Sequence, residues 1–120
     1  TTAEMVKYMT NTFLATKVSF ANEMFEICER LGIDYDKVTE YATLDSRLGN
    51  SHWSVPGPDG KLGFGGSCFP KDINGLISMA KDKLDLYPNV LNGAWKTNLE
   101  VRPEKDWEEL KGRAVVDENK

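Results

Sequence analysis

The longest stretch of this chain without a helix-breaking residue constrains its fold more than any other feature. No proline and no glycine occur from Thr2 to Leu31, and Gly32 follows, where glycine commonly ends a helix. The stretch therefore predicts one helix of about 28 residues, ~42 Å long. A compact domain of this chain's 120 residues has a diameter of only ~35 Å. The predicted helix is longer than the domain built around it.

Two apolar arcs run along this predicted helix when it is drawn at about 100° per residue. The arc that we predict to face the core contains Val6, Met9, Phe13, Phe20, Met24, Ile27, Cys28 and Leu31. The roughly opposite arc contains Leu14, Val18, Ala21 and Phe25, continued toward the N-terminus by Lys7 and Asn11. A helix that is apolar on two sides is buried on two sides, so we expect part of it to pack against another chain. A homodimer is the simplest partner, because two-fold association is the commonest kind.

Three shorter helices are predicted after Gly32. The second helix starts at Asp34 or Asp36 and runs through Leu48, with an apolar side of Val38, Tyr41 and Leu44. The third has Pro70 as a first helical residue, and its apolar positions are Ile73, Leu76, Ile77, Ala80 and Leu84. The fourth follows Pro88, ends at Arg102-Pro103, and directs Val90, Leu91, Ala94 and Leu99 inward.

The pattern as a whole predicts an all-α domain over residues 1–102, with a tail or linker at 103–120. Within that tail we expect a short helix around Trp107 to Leu110 and a few extended residues at Ala114 to Val116. Residues 50–66, with two prolines and five glycines, predict an ordered or functional loop rather than a helix.

Composition excludes several functional classes. The net charge of −4 disfavours a general nucleic-acid or anionic-membrane surface. No apolar run approaches the ~18 residues of a membrane span, and the first residues lack the pattern of a signal peptide. Two cysteines and one histidine give no metal-ligand spacing, so no metal is expected. We predict a soluble, cytoplasmic protein.

The segment Gly63–Asp72, GFGGSCFPKD, is the part of the chain most suited to chemistry. Its glycines allow backbone amides to approach a ligand, and the helix that follows places its positive end near Cys68. A thiol in that position is more nucleophilic than a buried one. The competing interpretation is a simple turn into a helix with an inert cysteine, the role that the core-facing position predicts for Cys28.

GFGGSCFPKD resembles the active-site signature of the nucleotide-sugar (UDP-glucose/GDP-mannose) dehydrogenase family, and most closely the members that act on UDP-glucose. Two further segments resemble that family in order and spacing. Ala3–Ala15, with Lys7 and Asn11 four residues apart, resembles the start of its long central helix, and Asp45–Gly49 resembles its D-x-R-[IL]-G segment. The resemblance covers about residues 3 to 100.

The resemblance implies an all-helical central dimerisation domain, similar to the C-terminal domain of 6-phosphogluconate dehydrogenase. It also implies a Rossmann domain for NAD expected N-terminal to this chain, since no G-x-G-x-x-G in a βαβ unit occurs within it. The implied reaction is two successive oxidations of the sugar C6 alcohol by NAD. The cysteine captures the aldehyde as a thiohemiacetal, and water releases the acid from a thioester.

Roles carried over from the family fall on eleven residues. Cys68 is the nucleophile, Lys7 and Asn11 are oxyanion donors, and Asp72 positions water or assists proton movement with Lys7. Phe64, Gly65, Gly66 and Ser67 hold the sugar and its phosphate. Arg47 reaches the substrate of the other subunit, and Trp53, with His52, lies near the nucleotide.

Two alternatives stay open from the sequence. The chain could be a non-catalytic helical dimerisation or scaffold module whose glycine segment is only a turn. Within the dehydrogenase interpretation, the substrate could be GDP-mannose or UDP-N-acetylmannosamine instead of UDP-glucose.

Overall fold

A computed structural model describes residues 1–110, and these form four α-helices and two short 3-10 helices. The α-helices are α1 (Thr2–Leu31), α2 (Tyr35–Ala42), α3 (Cys68–Leu84) and α4 (Asn89–Val101), and the 3-10 helices are Ser46–Leu48 and Asp106–Leu110. No strand occurs within the described range, and the all-α prediction is confirmed. None of these helices combines the length and apolar composition that crossing a membrane requires.

Helix α1 has the predicted length and ends where predicted. It spans 30 residues, and Gly32 closes it in the left-handed conformation at φ 71°. At its start, the Thr1 hydroxyl accepts from the Glu4 amide at 3.2 Å while the Glu4 carboxylate accepts from the Thr1 amine at 3.1 Å. The longest dimension of the molecule is 44 Å, so α1 runs its full length.

The prediction of which side of α1 faces the core was wrong. Six of the eight residues in the predicted core arc are exposed: Val6, Met9, Phe13, Phe20, Ile27 and Leu31. Only Cys28 of that arc is fully buried. The opposite side packs against α3 and α4 instead, and it includes Ala15 and Ala21, both 0% exposed.

The physical reason lies in the size of the side chains. The buried side of α1 is made of small and hydroxyl- or amide-bearing residues: Thr12, Ala15, Ser19, Ala21 and Asn22. Small residues let helix backbones approach closely, and Ser19 Oγ donates to the Ala94 carbonyl at 2.7 Å across the contact with α4. The prediction chose the side of α1 that has the largest apolar side chains. In the structure these side chains lie on the outside. The exposed ones form an apolar stripe along α1.

The second predicted helix is shorter than expected, and the side that packs against the core is not the predicted one. It ends at Ala42, and a separate 3-10 helix begins at Ser46, where the Asp45 carboxylate accepts from the Arg47 amide at 3.0 Å. Its predicted apolar side is exposed, at 64% for Tyr41 and 80% for Leu44. Tyr35 is the buried residue of this helix, and its hydroxyl donates to the Trp53 carbonyl at 2.7 Å.

Helices α3 and α4 follow the predictions more closely. Ile73, Ile77 and Ala80 are buried as expected, and α3 starts at Cys68, two residues before Pro70. Proline is tolerated in a first helical turn, where its missing N–H has no partner to lose. Three residues predicted to face inward are exposed: Leu84, Val90 and Leu99. In α4 the interior position is taken by Asn98, at 0% exposure.

The residues after α4 return to the helices. Trp107 is buried, and its ring centroid lies 5.1 Å from that of Trp95. The short helix predicted around Trp107 is present as the 3-10 helix Asp106–Leu110. The predicted extended residues at 114–116 lie outside the described residues, and the division of the chain at residue 102 stays a prediction.

Candidate active site

The contact between α1 and α3 brings two of the predicted catalytic residues, Asn11 and Asp72, together with Lys71. The Asn11 amide donates to Asp72 Oδ2 at 2.6 Å, and Lys71 Nζ lies 3.3 Å from Asp72 Oδ1. Asp72 is 3% exposed, so its carboxylate is held between the two helices. Asn11 has a second amide hydrogen, which this bond leaves free to donate.

The carboxylate of Asp72 stabilises the positive charge of Lys71. Partial burial disfavours the charged form of Lys71, but the hydrogen bond and charge of Asp72 outweigh it and raise the pKa of Lys71 above its usual range. Lys7 and Cys68 also lie within the electrostatic environment of Lys71. The side chain of Lys7 is exposed, one turn before Asn11 on α1.

Cys68 is the first residue of α3 and its thiol is exposed, whereas Cys28 is buried. The first amides of a helix lack intrahelical partners and carry the positive end of the helix dipole. An exposed sulfur in this position, with Lys71 nearby, is accessible to an electrophile and has positive charge around it. The difference in exposure between the two cysteines is the one the sequence predicted.

The glycine segment before Cys68 is held by two buried asparagines. Asn98 accepts from the Phe64 amide at 2.7 Å and donates to the Phe64 carbonyl at 2.9 Å. Asn22 accepts from the Gly63 amide at 3.1 Å. Gly63 has φ +68°, and a Cβ there would collide with the Asn98 side chain. Both asparagines were missed from the sequence, where they are indistinguishable from the surface asparagines of a helix.

A cavity of about 800 Å³ opens beside this segment. One wall consists of Phe64, Gly65 and Gly66, and residues 56–59 form another. His52 and Phe69 also line it, with ring centroids 5.9 Å apart. Ser67 and Cys68 are not part of the lining, although the residues that flank them, Gly66 and Phe69, are. Cys68 thus lies at the edge of the cavity rather than in its wall.

Two predicted substrate contacts lie elsewhere. Arg47 is paired with Asp45, with Arg47 Nη2 2.7 Å from Asp45 Oδ2, and its side chain is 86% exposed. The hydrogen bond from Arg47 lowers the pKa of Asp45 below its usual range. Trp53 does not line the large cavity: its indole N–H donates to the Gly49 carbonyl at 2.9 Å.

A buried lysine that the sequence did not single out supports both of these residues. Lys17 Nζ donates to the Leu48 carbonyl at 2.9 Å and lies 5.0 Å from the centre of the Trp53 ring. Lys17 is only 9% exposed. It ties the turn that carries Arg47 to the middle of α1.

The amino-acid sequence of the chain matches a known protein family. The family described as UDP-glucose/GDP-mannose dehydrogenase family, central domain, matches residues 1–100. The chain belongs to this family. The resemblance seen in the sequence is confirmed, and the all-helical fold agrees with a central domain.

Three relatives illustrate the range of similarity. A UDP-glucose 6-dehydrogenase of Bacillus subtilis (strain 168), TuaD, is 51% identical over 79 residues, 66% of this chain and 16% of that protein. A UDP-glucose 6-dehydrogenase of Rickettsia prowazekii (strain Madrid E) is 41% identical over 103 residues, 85% of this chain and 22% of that protein. AglM, a UDP-glucose 6-dehydrogenase of Haloferax volcanii, is 39% identical over 115 residues, 96% of this chain and 25% of that protein.

The chain therefore spans a quarter or less of the length of these curated relatives. Within the described residues of this family member, an exposed thiol, a buried carboxylate with an amide donor and a cavity with glycine walls lie around the start of α3. A nucleophile, hydrogen-bond donors and a group that can orient water are the parts that acyl chemistry at a carbonyl carbon requires.

Proposed function

We propose that this chain is the catalytic-cysteine and dimerisation domain of an NAD-dependent enzyme that oxidises UDP-glucose at C6 to UDP-glucuronate. The observation that carries the proposal is the position of Cys68. Its thiol is exposed at the start of α3, beside Lys71 and at the edge of the 800 Å³ cavity. The three relatives described above are all UDP-glucose 6-dehydrogenases, which favours this substrate.

The proposed reaction has four steps. The C6 alcohol first loses a hydride to NAD and a proton to a base, which gives the aldehyde. The Cys68 thiolate adds to the aldehyde carbon, and the oxygen takes up a proton to give a thiohemiacetal. Loss of a second hydride to a second NAD, with that proton, leaves a thioester. Water then cleaves the bond between carbon and sulfur, which releases the carboxylate and regenerates the thiol.

The chain's own residues have three roles in these steps. Asn11 and Lys7 donate hydrogen bonds to the oxygen that becomes negative when the carbonyl carbon is attacked. Asp72, held by Asn11 at 2.6 Å, orients the water that cleaves the thioester. The backbone from Phe64 to Ser67 contacts the sugar and its phosphate. The place of Trp53 near the nucleotide stays a prediction, and its indole is engaged with Gly49.

NAD fits no group of residues in the described part of the chain. Residues 1–110 contain no strand, and the Rossmann site for a dinucleotide is built on a strand followed by a glycine turn and a helix. The two hydrides would be accepted by two NAD molecules that bind one after the other. Its site is expected on a Rossmann domain N-terminal to this chain. A cytoplasmic location of the enzyme likewise stays a prediction.

We also propose that two copies of the chain associate through the apolar stripe of α1. It contains two phenylalanines, of which Phe13 is the more exposed at 61%, and Met9, one turn away from Phe13, is 67% exposed. Exposed apolar side chains in a continuous row mark a surface that another protein covers. In the proposed dimer, the exposed Arg47 reaches the substrate of the other subunit.

Sedimentation of the 120-residue chain tests the dimer. We expect a dimer at micromolar concentration, and we expect Phe13→Arg to make it a monomer with unchanged helical circular dichroism. Glu29→Arg, an exposed position on the same helix, is the matched control and leaves the dimer intact. A monomeric parent chain at these concentrations would contradict the proposed dimer.

The function is tested by following NADH in the complete gene product. UDP-glucose should give two NADH for each sugar oxidised, at a higher kcat/KM than GDP-mannose or UDP-N-acetylmannosamine. The 120-residue chain by itself should give none, because its described residues offer no dinucleotide site. Rapid NADH formation by the 120-residue chain would refute the proposal that the NAD site lies on a separate domain.

Thiol reactivity separates the enzyme from the scaffold alternative. In the catalytic interpretation, Cys68 in the 120-residue chain reacts with an alkylating reagent at neutral pH faster than a small model thiol. A rate equal to or below that of the model thiol would favour a scaffold whose glycine segment is only a turn. Peptide mapping assigns the label to Cys68 or to Cys28.

A further inference from the structure

The most deeply buried charge in the described residues is Arg102, directly after α4. It is 0% exposed, and all three guanidinium nitrogens donate hydrogen bonds. Nε donates to the Glu104 carbonyl and Nη1 to the Leu62 carbonyl, each at 3.0 Å. Nη2 donates to Asp59 Oδ2 at 3.0 Å and to Asp106 Oδ2 at 3.2 Å. One side chain therefore joins the residues after α4 to the loop before α3.

The partners of Arg102 belong to two walls of the large cavity. Asp59 ends the wall formed by residues 56–59. Asp106 also lines the cavity, and its Oδ2 accepts from the Gly66 amide at 3.2 Å. The guanidinium thus fixes the 56–59 wall directly and the Gly65-Gly66 wall through Asp106.

The glycine wall lies directly against this guanidinium. A Cβ on Gly65 would collide with Nη2 and Cζ of Arg102 and with Oδ1 of Asp106. Because Arg102 is held by four acceptors, it has no free direction in which to move away. The absence of a side chain at Gly65 is therefore what allows the backbone to lie on the guanidinium.

The charge of Arg102 is balanced at its own site. Burial disfavours the cation, but hydrogen bonds and charges of Asp59 and Asp106 outweigh burial and raise the pKa of Arg102 above its usual range. Burial by itself would raise the pKa of Asp59, yet the bond from Arg102 lowers it below its usual range. Removing one partner of such a set leaves a buried charge uncompensated, which is costly.

We infer that Arg102 is a positioning residue that sets the distance between the two walls of the substrate cavity. This inference rests on the proposed function. Arg102 itself has no exposed surface, so it acts on the substrate only through the residue 56–59 wall and through Gly65-Gly66. The affinity for the nucleotide sugar depends on this spacing. The chemistry at Cys68, on α3 and at the cavity edge, depends on it much less.

Steady-state kinetics of the complete gene product test the inference. Arg102→Lys keeps the charge but loses the four-acceptor geometry, so KM for UDP-glucose should rise about tenfold or more while kcat changes less than about threefold. Asp59→Asn, at a side chain that is 48% exposed and so tolerates substitution, should raise KM about two- to fivefold. Asp82→Asn, an exposed carboxylate on α3, is the matched control and leaves both constants unchanged.

The split between KM and kcat separates positioning from general stability. A variant that is merely less stable loses active molecules, which lowers kcat and leaves KM unchanged. If Arg102→Lys does not fold, Asp59→Asn decides the question alone. An unchanged KM in Asp59→Asn, or a fall in kcat without a rise in KM, overturns the inference.

Hydrogen exchange gives a readout that does not depend on the substrate. In either variant, the Gly66 amide should exchange faster than in the parent protein, whereas the amides in the middle of α1 should not change. If the Gly66 amide exchanges faster in the variants but the parent protein does not oxidise UDP-glucose, the proposed function is refuted. The role of Arg102 in holding the two cavity walls together is not. Unchanged exchange at Gly66 together with an unchanged KM would refute the inference itself.

Discussion

Replacement of Cys68 by serine is expected to reduce NADH formation from UDP-glucose by the complete gene product by a factor on the order of 10³ or more. The hydroxyl of serine is a far weaker nucleophile than a thiolate. Cys68 is exposed, so the substitution removes no core packing. Initial rates with saturating UDP-glucose and NAD measure the effect.

Cys28→Ala is the matched control for this result. Cys28 is 5% exposed and packs in the cluster with Ala21, Tyr35 and Val55. Its loss is expected to lower the melting temperature and to leave kcat of the folded enzyme nearly unchanged. If Cys68→Ser keeps more than a tenth of the parent rate, Cys68 is not the nucleophile.

The largest expected effect on stability belongs to Asn98. Asn98→Ala should lower the free energy of unfolding by about 3 to 5 kcal/mol, because two buried backbone groups of Phe64 lose their partners at about 1–3 kcal/mol each and a cavity remains. Asn98 is 0% exposed and makes both bonds within 2.9 Å. The whole free energy of unfolding of a small domain is only ~5–15 kcal/mol, so this loss would be a large part of it. Urea unfolding of the 120-residue chain, followed by circular dichroism, measures the change.

Asn92→Ala, on the same helix, provides the comparison. Asn92 is partly buried and makes one local bond, from its amide to the Pro88 carbonyl at 3.0 Å. Its replacement should cost less than about 1 kcal/mol. Equal effects of the two substitutions would mean that Asn98 does not hold the glycine segment as described.

The sequence predicted those features of the fold that depend on local chemistry. The length of α1 and its end at Gly32 follow from the distribution of proline and glycine, and the structure has them at Thr2–Leu31. The buried positions Ile73, Ile77 and Ala80 of α3 follow from helical spacing. In both cases the determining residues lie within one element.

Predictions that depend on what packs against an element were less successful. The core side of α1 contains Ala15, Ser19 and Asn22. These residues stabilise the core by allowing the helices to approach closely and by making specific hydrogen bonds, and they bury little apolar area. The pattern of hydrophobic residues along the helix predicts neither the close contact nor the hydrogen bonds. Leu44 was predicted to be inward for the same reason, and it is 80% exposed.

The candidate site shows the same division. The catalytic candidates Cys68, Lys7, Asn11 and Asp72 were found through a motif, and the structure brings Asn11 and Asp72 within 2.6 Å. The residues that shape the site, Lys17, Asn98 and Arg102, were missed, because each contacts a segment about 30 to 40 positions away. The sequence around a polar residue does not show whether that residue has a buried hydrogen-bond partner far away in the chain.

In the proposed reaction Cys68 becomes covalently attached to the substrate carbon, and the mass of the peptide that contains Cys68 shows whether this bond forms. The complete gene product is mixed with UDP-glucose and NAD, quenched in acid and digested. Asp72→Asn, which should slow the release by water, is run in parallel. We predict the mass of a UDP-glucuronyl thioester on the peptide containing Cys68, more of it in Asp72→Asn, and none on the Cys28 peptide or without NAD. An unmodified Cys68 in both proteins while UDP-glucuronate accumulates would show that the reaction does not pass through a bond to Cys68.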